Sequence, residues 1–493
     1  MSGGVSRERV FRGRIALVLT AIVTIEYCVF LLPISWILLP IPFVWVRRQY
    51  RRWVSTVQLL LLGFLGYAVE FICQIRIVIT GADELLHVLP ARPLIVSNHR
   101  SEIDWLFLVC LSLRLHRLSV LKVTTMESWT RLPFVGWLMQ VFTFPPLCAR
   151  DKVKDLATLR NCVEYLVGVQ RPIGGCSFAL FPESAFLSSP NARDKSERYA
   201  EILGLPVWKN VLVPRVPGIY ETIRSLNRLN ALDSVIDVTV GYLDFDPVAA
   251  TASGLLSFWT GKFPREVHMG LNQIRWADLP ADNIEATRSW LIDLFARKER
   301  MLEKFYAPLH IMSSNDYFLP TELSSGEEDQ LSTTSTHMSN LATLLCFHDD
   351  DGDSPEPADE TLSKDMRFIQ YISNSYVISA VVATMVTCLV TVTILAYPRE
   401  TLVYILSVCL TFSFITRWID GFNVLELDIL PVQVDLTMSP DFYSVDPSAK
   451  PKTFIQQIKE LFSPPKSELE SGQSDKGNYI RAIRQRKPPI NRQ

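Results

Sequence analysis

Long apolar segments at both ends of the chain are the feature that most limits how it can fold. Residues 15–46 are apolar for more than thirty positions and contain one acid, Glu26. Two further apolar segments, 376–397 and 401–416, lie close together towards the other end. A helix needs about 20 apolar residues to cross a bilayer. The sequence therefore predicts an integral membrane protein with membrane helices at both ends.

Arginines flank the first apolar segment on both sides. They are Arg7, Arg9, Arg12 and Arg14 before it, and Arg47, Arg48, Arg51 and Arg52 after it. Basic residues stay on the cytoplasmic side of a membrane, so both ends of the segment are predicted there. Pro33, Pro40 and Pro42 interrupt it, which favours a bent or re-entrant hairpin. Residues 54–75 form a second apolar segment that either spans the bilayer or lies in the interface. The first apolar segment, 15–46, is too long for a secretory signal peptide.

Overall composition excludes several other classes of protein. The 493 residues carry a formal net charge of -2, which predicts no nucleic-acid partner. The nine cysteines are scattered and contain no C-x-x-C pair, so we expect reduced thiols and neither a disulfide framework nor a metal site. No resident cofactor is expected.

Short β-rich runs alternate with helical runs between the apolar ends. The predicted strands are 94–97, 118–123, 177–181, 211–215, 235–243 and 266–275. The predicted helices are 105–115, 153–169, 196–203, 219–226 and 284–305. This alternation predicts an α/β domain with a mixed, largely parallel sheet flanked by helices.

Changes in composition divide the chain into five predicted parts. They are a basic N-terminus with a membrane-embedded hairpin (1–78), the α/β domain (79–311), an acidic disordered linker (312–370), a C-terminal transmembrane hairpin (371–422) and a largely disordered tail (423–493).

Residues 98–104, with the sequence NHRSEID, are the strongest indication of chemistry. They follow an apolar strand and precede a helix, which is where α/β sheets present polar side chains to ligands. Asp104 can hold one ring nitrogen of His99 while the other nitrogen takes a proton. A solvated or structural histidine is the alternative for such a motif taken alone.

Three later blocks follow in a fixed order, and they carry a family resemblance. They are 133–137 (PFVGW) with 148–151 (CARD), then 181–183 (FPE), then 213–215 (VPR). Together with 98–104 they resemble the motifs of the glycerolipid acyltransferases, which move a fatty acyl group from acyl-CoA to a glycerol hydroxyl. The resemblance covers most of residues 93–306 and implies the acyltransferase α/β domain.

The resemblance also implies roles for particular residues. His99 would be the general base and Asp104 its orienting acid. Arg150 and Arg215 would contact substrate phosphate, Glu183 would orient an arginine or the acceptor, and Pro214 would shape the acyl-CoA pocket. The full set of predicted substrate-binding residues is Asn98, Arg150, Glu183, Ser184, Pro214 and Arg215. The expected substrates are acyl-CoA, as co-substrate, and a lysophospholipid held in the bilayer.

One block departs from the family pattern. Where the family has Gly-Thr-Arg, this chain has Ser184, Ala185 and Phe186. Loss of that arginine favours lysophosphatidylglycerol and related acceptors, whereas 101–105 (SEIDW) resembles the lysophosphatidate and lysocardiolipin branch. The leading prediction is acylation of the free sn-2 hydroxyl of 1-acyl-sn-glycerol-3-phosphate. The alternative acceptor is lysophosphatidylglycerol, lysocardiolipin or lysophosphatidylinositol.

A further alternative, from another class of function, is that the protein is a non-catalytic membrane scaffold. The predicted location is the endoplasmic reticulum, with the catalytic domain facing the cytoplasm. The mitochondrial outer membrane is the alternative location. The sequence leaves acyl-chain preference, oligomeric state and protein partners undecided.

Overall fold

A computed structural model gives the architecture of most of the chain. The described residues are 6–38, 41, 43–81, 92–148, 151–170, 175–189, 191–243, 245, 254–281, 283–307, 359–418 and 421. Arg150, most of the predicted linker and all of the predicted tail lie outside the described residues.

A six-stranded mixed sheet forms the centre of the α/β domain. Its strands lie in the order β1-β8-β7-β2-β6-β3. Neighbouring strands are parallel, apart from the antiparallel pair β7 and β8. The bounds are β1 Arg76–Thr80, β2 Pro93–Ser97, β3 Leu121–Val123, β6 Ser177–Leu180, β7 Ser234–Leu243 and β8 Glu266–Arg275, while β4 Thr125–Met126 and β5 Pro146–Leu147 form a separate two-stranded sheet. The predicted α/β fold with a mixed sheet is confirmed.

Helices flank this sheet, as predicted. In the domain they are α4 Asp104–Arg114, α5 Glu127–Thr130, α6 Val135–Val141, α7 Lys152–Gln170, α8 Ala192–Leu203, α9 Val216–Arg228, α10 Leu255–Trp259 and α11 Ile284–Tyr306. Every residue of α4 except Trp105 is buried, so this helix belongs to the core next to the sheet. Its position fixes the turn that precedes it.

Apolar helices lie towards both ends of the chain. They are α1 Arg7–Glu26, α2 Leu32–Leu38, α3 Val44–Tyr67, α12 Asp359–Ala396 and α13 Pro398–Trp418. A π-helical turn, Tyr27–Leu31, joins α1 to α2, and a second, Ala68–Ile72, extends α3. Within the described part of the chain, four helical stretches are long and apolar enough to cross a membrane: Arg7–Trp36, Gln49–Ile72, Ser375–Ala396 and Pro398–Trp418.

Helix α3 and its π-helical extension contact the α/β domain and helix α12 through one buried cluster. Arg114, at the end of α4, donates to both carboxylate oxygens of Glu70 at 2.7 and 2.8 Å. The hydroxyl of Tyr376 also donates to Glu70. Because Arg114 and Tyr376 are almost fully buried, this cluster joins three parts of the chain in its core.

The structure differs locally from the predicted elements. Residues 211–215 are not a strand, because their backbone amides bond to side chains and to a loop carbonyl instead of a neighbouring strand. Strand β1 was not predicted, and it begins at Arg76, before the boundary placed at residue 79. Helix α12 begins at Asp359, inside the stretch assigned to the linker.

Candidate active site

The turn between β2 and α4 lies in the middle of the sheet. Strand β2 has β7 on one side and β6 on the other, both parallel to it. The carboxyl ends of these three strands therefore meet at one edge, where open α/β sheets bind their ligands. Residues 98–103 emerge at this edge, and so does the loop that follows β6.

His99 and Asp104 form a hydrogen-bonded pair across this turn. The distance between His99 Nδ1 and Asp104 Oδ2 is 2.8 Å. Asp104 is fully buried, whereas 18% of the His99 side chain is exposed. An ionised carboxylate only accepts hydrogen bonds, so it holds the proton on Nδ1 and leaves Nε2 with a lone pair. The arrangement therefore directs the basic nitrogen of His99 away from Asp104.

Asp104 also fixes the backbone of its own turn. Its Oδ2 accepts from the amides of Arg100 at 2.6 Å and Ser101 at 3.1 Å. The other oxygen, Oδ1, accepts from the hydroxyl of Tyr242, a buried residue near the end of β7. Both oxygens of the carboxylate are thus held by donors on two different elements.

Glu183 ties this turn to the loop after β6 and to the segment 211–215. Its two carboxylate oxygens accept from the amides of His99 at 2.8 Å and Leu212 at 2.9 Å. Burial raises the pKa of Glu183 to about 8, against the opposing effect of these two amide donors. Through these two contacts the carboxyl group of Glu183 holds the backbone of His99 and of Leu212.

Asn98 is fully buried beneath the turn. Its side-chain amide donates to the Val240 carbonyl at 3.1 Å, and its side-chain oxygen accepts from the Val240 amide at 2.7 Å. The pair extends the β2–β7 contact by one residue beyond the last paired strand position. These contacts give Asn98 a role in holding the turn; substrate binding by Asn98 stays a prediction.

Two phenylalanines form aromatic walls around His99. Phe181 stacks on the imidazole, with ring centroids 4.1 Å apart and an angle of 22° between planes. Phe186 meets the same ring edge-on at 5.5 Å and 71°. Phe186 stands where the family pattern has arginine, so an apolar group faces the imidazole at that position.

The other predicted substrate-binding residues lie around the 181–186 loop. The amide of Arg215 donates to the Pro182 carbonyl at 2.7 Å, and its exposed guanidinium lies 3.8 Å above the centroid of the Tyr199 ring. Pro214 is buried, and Ser184 is exposed with a φ of 60°. The structure thus brings His99, Asp104 and Glu183 together, with Asn98 below and Arg215 on the adjoining surface. Arg150 lies outside the described residues.

Sequence analysis missed the contact between Tyr242 and Asp104. Strand β7 is buried along almost its whole length, so its alternation does not single out one side chain. The available signal was topological: a largely parallel sheet was predicted, and parallel strands end at the same edge of a sheet. Among the described residues, no group of three or more His, Cys, Asp or Glu could hold a metal ion.

Family profiles identify this α/β domain as an acyltransferase domain. An acyltransferase sequence profile matches residues 76–240, and an acyltransferase C-terminus profile matches residues 257–344. The chain is 31% identical over 261 residues to a probable 1-acyl-sn-glycerol-3-phosphate acyltransferase 5 of Arabidopsis thaliana, covering 52% of this chain and 63% of the relative. It is 30% identical over 267 residues to lysocardiolipin acyltransferase 1 of Gallus gallus, covering 54% of this chain and 67% of the relative.

A third relative has another acceptor in its name. Lysophosphatidylinositol acyltransferase 10 of Caenorhabditis elegans is 27% identical over 240 residues, covering 48% of this chain and 58% of the relative. The matches to the Arabidopsis and C. elegans proteins thus span less than two thirds of their lengths. The chain belongs to the glycerolipid acyltransferase family, and its apolar helices make it a membrane protein.

One solved structure is also similar to the chain. The 1-acyl-sn-glycerophosphate acyltransferase PlsC of Thermotoga maritima aligns with 61% of this chain and 100% of its own, at 16% identity and a TM-score of 0.38.

Proposed function

We propose that this protein is an acyl-CoA-dependent O-acyltransferase of a lysophospholipid. The leading acceptor is 1-acyl-sn-glycerol-3-phosphate, whose free sn-2 hydroxyl is acylated to give phosphatidate. The observation that carries the proposal is the 2.8 Å contact between His99 Nδ1 and Asp104 Oδ2 beside a partly exposed imidazole. A non-catalytic scaffold has no use for such a pair at the edge of the sheet.

The reaction proceeds by direct transfer. The lone pair on His99 Nε2 takes the proton of the acceptor hydroxyl as its oxygen attacks the thioester carbonyl. Asp104 stabilises the resulting imidazolium, as the acid of a Ser-His-Asp triad does. The tetrahedral intermediate then collapses with cleavage of the carbon–sulfur bond, and the imidazolium returns the proton to the departing thiolate. General base catalysis of this kind contributes about 10²–10⁴-fold in rate.

Phe186 favours a second candidate acceptor. A phosphomonoester such as lysophosphatidate carries close to two negative charges and benefits from an arginine fork. The apolar edge of Phe186 against His99 offers no such donor. A lysophospholipid with a phosphodiester head group, such as lysophosphatidylglycerol, lysocardiolipin or lysophosphatidylinositol, carries less charge there. Two relatives named for lysocardiolipin and lysophosphatidylinositol support this alternative.

We propose that the site lies near the bilayer, and the apolar helices of the chain support this. A lysolipid keeps its acyl chain in the leaflet, so the acceptor hydroxyl reaches His99 at the membrane surface. Acyl-CoA has a polar head that arrives from the cytoplasm, and the arginines flanking the first apolar segment favour the same side. We propose the endoplasmic reticulum, with the catalytic domain facing the cytoplasm.

A panel of acceptors tests the proposal. The full-length protein in detergent-lipid micelles is given radiolabelled acyl-CoA with lysophosphatidate or with each of the three phosphodiester lysolipids. Labelled phosphatidate as the main product supports the leading acceptor, and a labelled diester product supports the second candidate. Absence of transfer to any of the four, from a protein with a cooperative unfolding transition, contradicts both candidates.

A further inference from the structure

The two carboxylate oxygens of Asp104 have separate partners. Oδ2 contacts His99 Nδ1 and the amides of Arg100 and Ser101. Among the contacts of the described residues, Oδ1 has one donor, the hydroxyl of Tyr242. The local turn thus holds one oxygen, and a strand far along the chain holds the other.

We propose that Tyr242 is a positioning residue for the general base, acting through Asp104. This inference rests on the proposed function of His99. A carboxylate held through one oxygen can still turn about its side-chain bond, which moves the lone pair that faces the imidazole. The second hydrogen bond, from an element that does not move with the turn, fixes the carboxylate plane. His99 then keeps one tautomer and one ring orientation throughout the reaction.

Tyr242 is itself rigidly held. It is 1% exposed, and its ring meets Phe107 of α4 edge-on at 5.6 Å. Its backbone amide donates to the hydroxyl of Tyr306, at the end of α11, at 2.8 Å. The guanidinium of Arg100 lies over the ring of Tyr306 at 4.7 Å. The hydroxyl is therefore presented by three elements packed around it.

The hydroxyl stays a donor over the working range of pH. Burial raises the pKa of Tyr242 well above its usual value, and the neighbouring Asp104 raises it further. The charged and titratable groups near this pair are His99, Arg100, Glu183 and Tyr306.

Tyr242→Phe removes the hydroxyl and keeps the ring. A hydrogen bond to a charged group typically contributes about 1.5–3 kcal/mol. We therefore expect kcat to fall about 10- to 100-fold. The KM values for both substrates stay unchanged, because the residue does not touch them. The acid limb of the kcat–pH profile moves to higher pH, because a carboxylate that has lost one donor holds the imidazolium more strongly. Tyr165→Phe is the matched control, since that buried hydroxyl accepts from Arg51 instead.

A double variant separates positioning from general destabilisation. In an Asp104→Ala background, we expect Tyr242→Phe to change kcat less than twofold, because the carboxylate that accepts from its hydroxyl is already absent. The proposal would be overturned if the two substitutions lowered kcat by factors that multiply in the double variant. It would also be overturned if the acid limb of the kcat–pH profile did not move in Tyr242→Phe, or if that variant failed to fold. His99→Ala measured alongside identifies the other failure: if it retains activity, the proposed function itself is wrong.

Discussion

Phe186 lies edge-on to His99, with 5.5 Å between ring centroids, at the position where the family pattern has arginine. The arginine that would contact substrate phosphate is thus replaced by an apolar side chain beside the proposed base. This relationship links head-group preference to a single residue.

Phe186→Arg is expected to shift preference towards lysophosphatidate. An arginine there restores a forked donor for the phosphomonoester, and one charge-assisted hydrogen bond corresponds to about a 10-fold change in kcat/KM. The measurement is the ratio of kcat/KM for lysophosphatidate to that for lysophosphatidylglycerol. Phe186→Leu is the control, because it removes the ring without adding charge. An unchanged ratio in the arginine variant would show that position 186 does not select the head group.

Glu183 is expected to make stability depend on pH. Its folded-state pKa is about 8 against an ordinary value of 4.5. A carboxyl group with a raised pKa favours the folded state fully below pH 4.5, and this contribution is lost as pH rises through 8. The wild-type unfolding temperature should therefore fall between pH 5 and pH 9.

Glu183→Gln isolates this contribution. Glutamine cannot ionise, so the fall in unfolding temperature over the same pH range should be smaller in the variant. The NH₂ group of the glutamine would also face a backbone N–H, so two donors would meet. This should lower the free energy of unfolding by about 1–3 kcal/mol at low pH. Glu127→Gln, at an ion pair with Arg131 away from the site, is the control. Parallel pH curves for wild type and Glu183→Gln would contradict the assignment.

Asn98→Ala separates holding the turn from binding substrate. The variant leaves the Val240 amide and carbonyl unpaired, which costs about 1–3 kcal/mol for each group. We expect a lower unfolding temperature and a lower kcat with little change in KM. A raised KM for the lysolipid at unchanged stability would instead support the substrate-binding role.

Arg114→Leu tests how strongly the apolar helices are bound to the catalytic helix. It leaves the largely buried Glu70 without its cation, and breaking a buried ion pair on one side typically costs about 3–5 kcal/mol. Arg114→Leu combined with Glu70→Leu removes both charges and should recover much of the lost stability. Unfolding temperatures of the two variants in the same detergent provide the comparison. An equally low temperature for both would argue against a direct pairing.

Periodicity predicted the elements that pack by regular burial. The bounds of β8, Glu266–Arg275, agree with the prediction, and α4 differs by one residue at each end. The segment 211–215 has the composition of a strand, but Glu183, Ser196 and Glu299 occupy its amides. Such contacts depend on residues distant in sequence, which periodicity does not report.

Motif spacing predicted the proposed base and its acid, because five residues across a strand-to-helix turn are a local relationship. Tyr242 lies 138 positions from Asp104, and its neighbours in β7 are equally buried. Glu183 was predicted as a group that orients substrate or arginine, yet its contacts are to two backbone amides. The sequence specified which residues meet at the site more fully than what each one touches.

The most direct measurement of the central claim is the acyl-transfer rate of His99→Ala in membranes. We expect a loss of about 10²–10⁴-fold, because the variant lacks the group that takes the hydroxyl proton. His116→Asn, an exposed position just beyond the other end of α4, should keep the wild-type rate. A His99→Ala protein that transfers acyl groups at the wild-type rate would contradict the account.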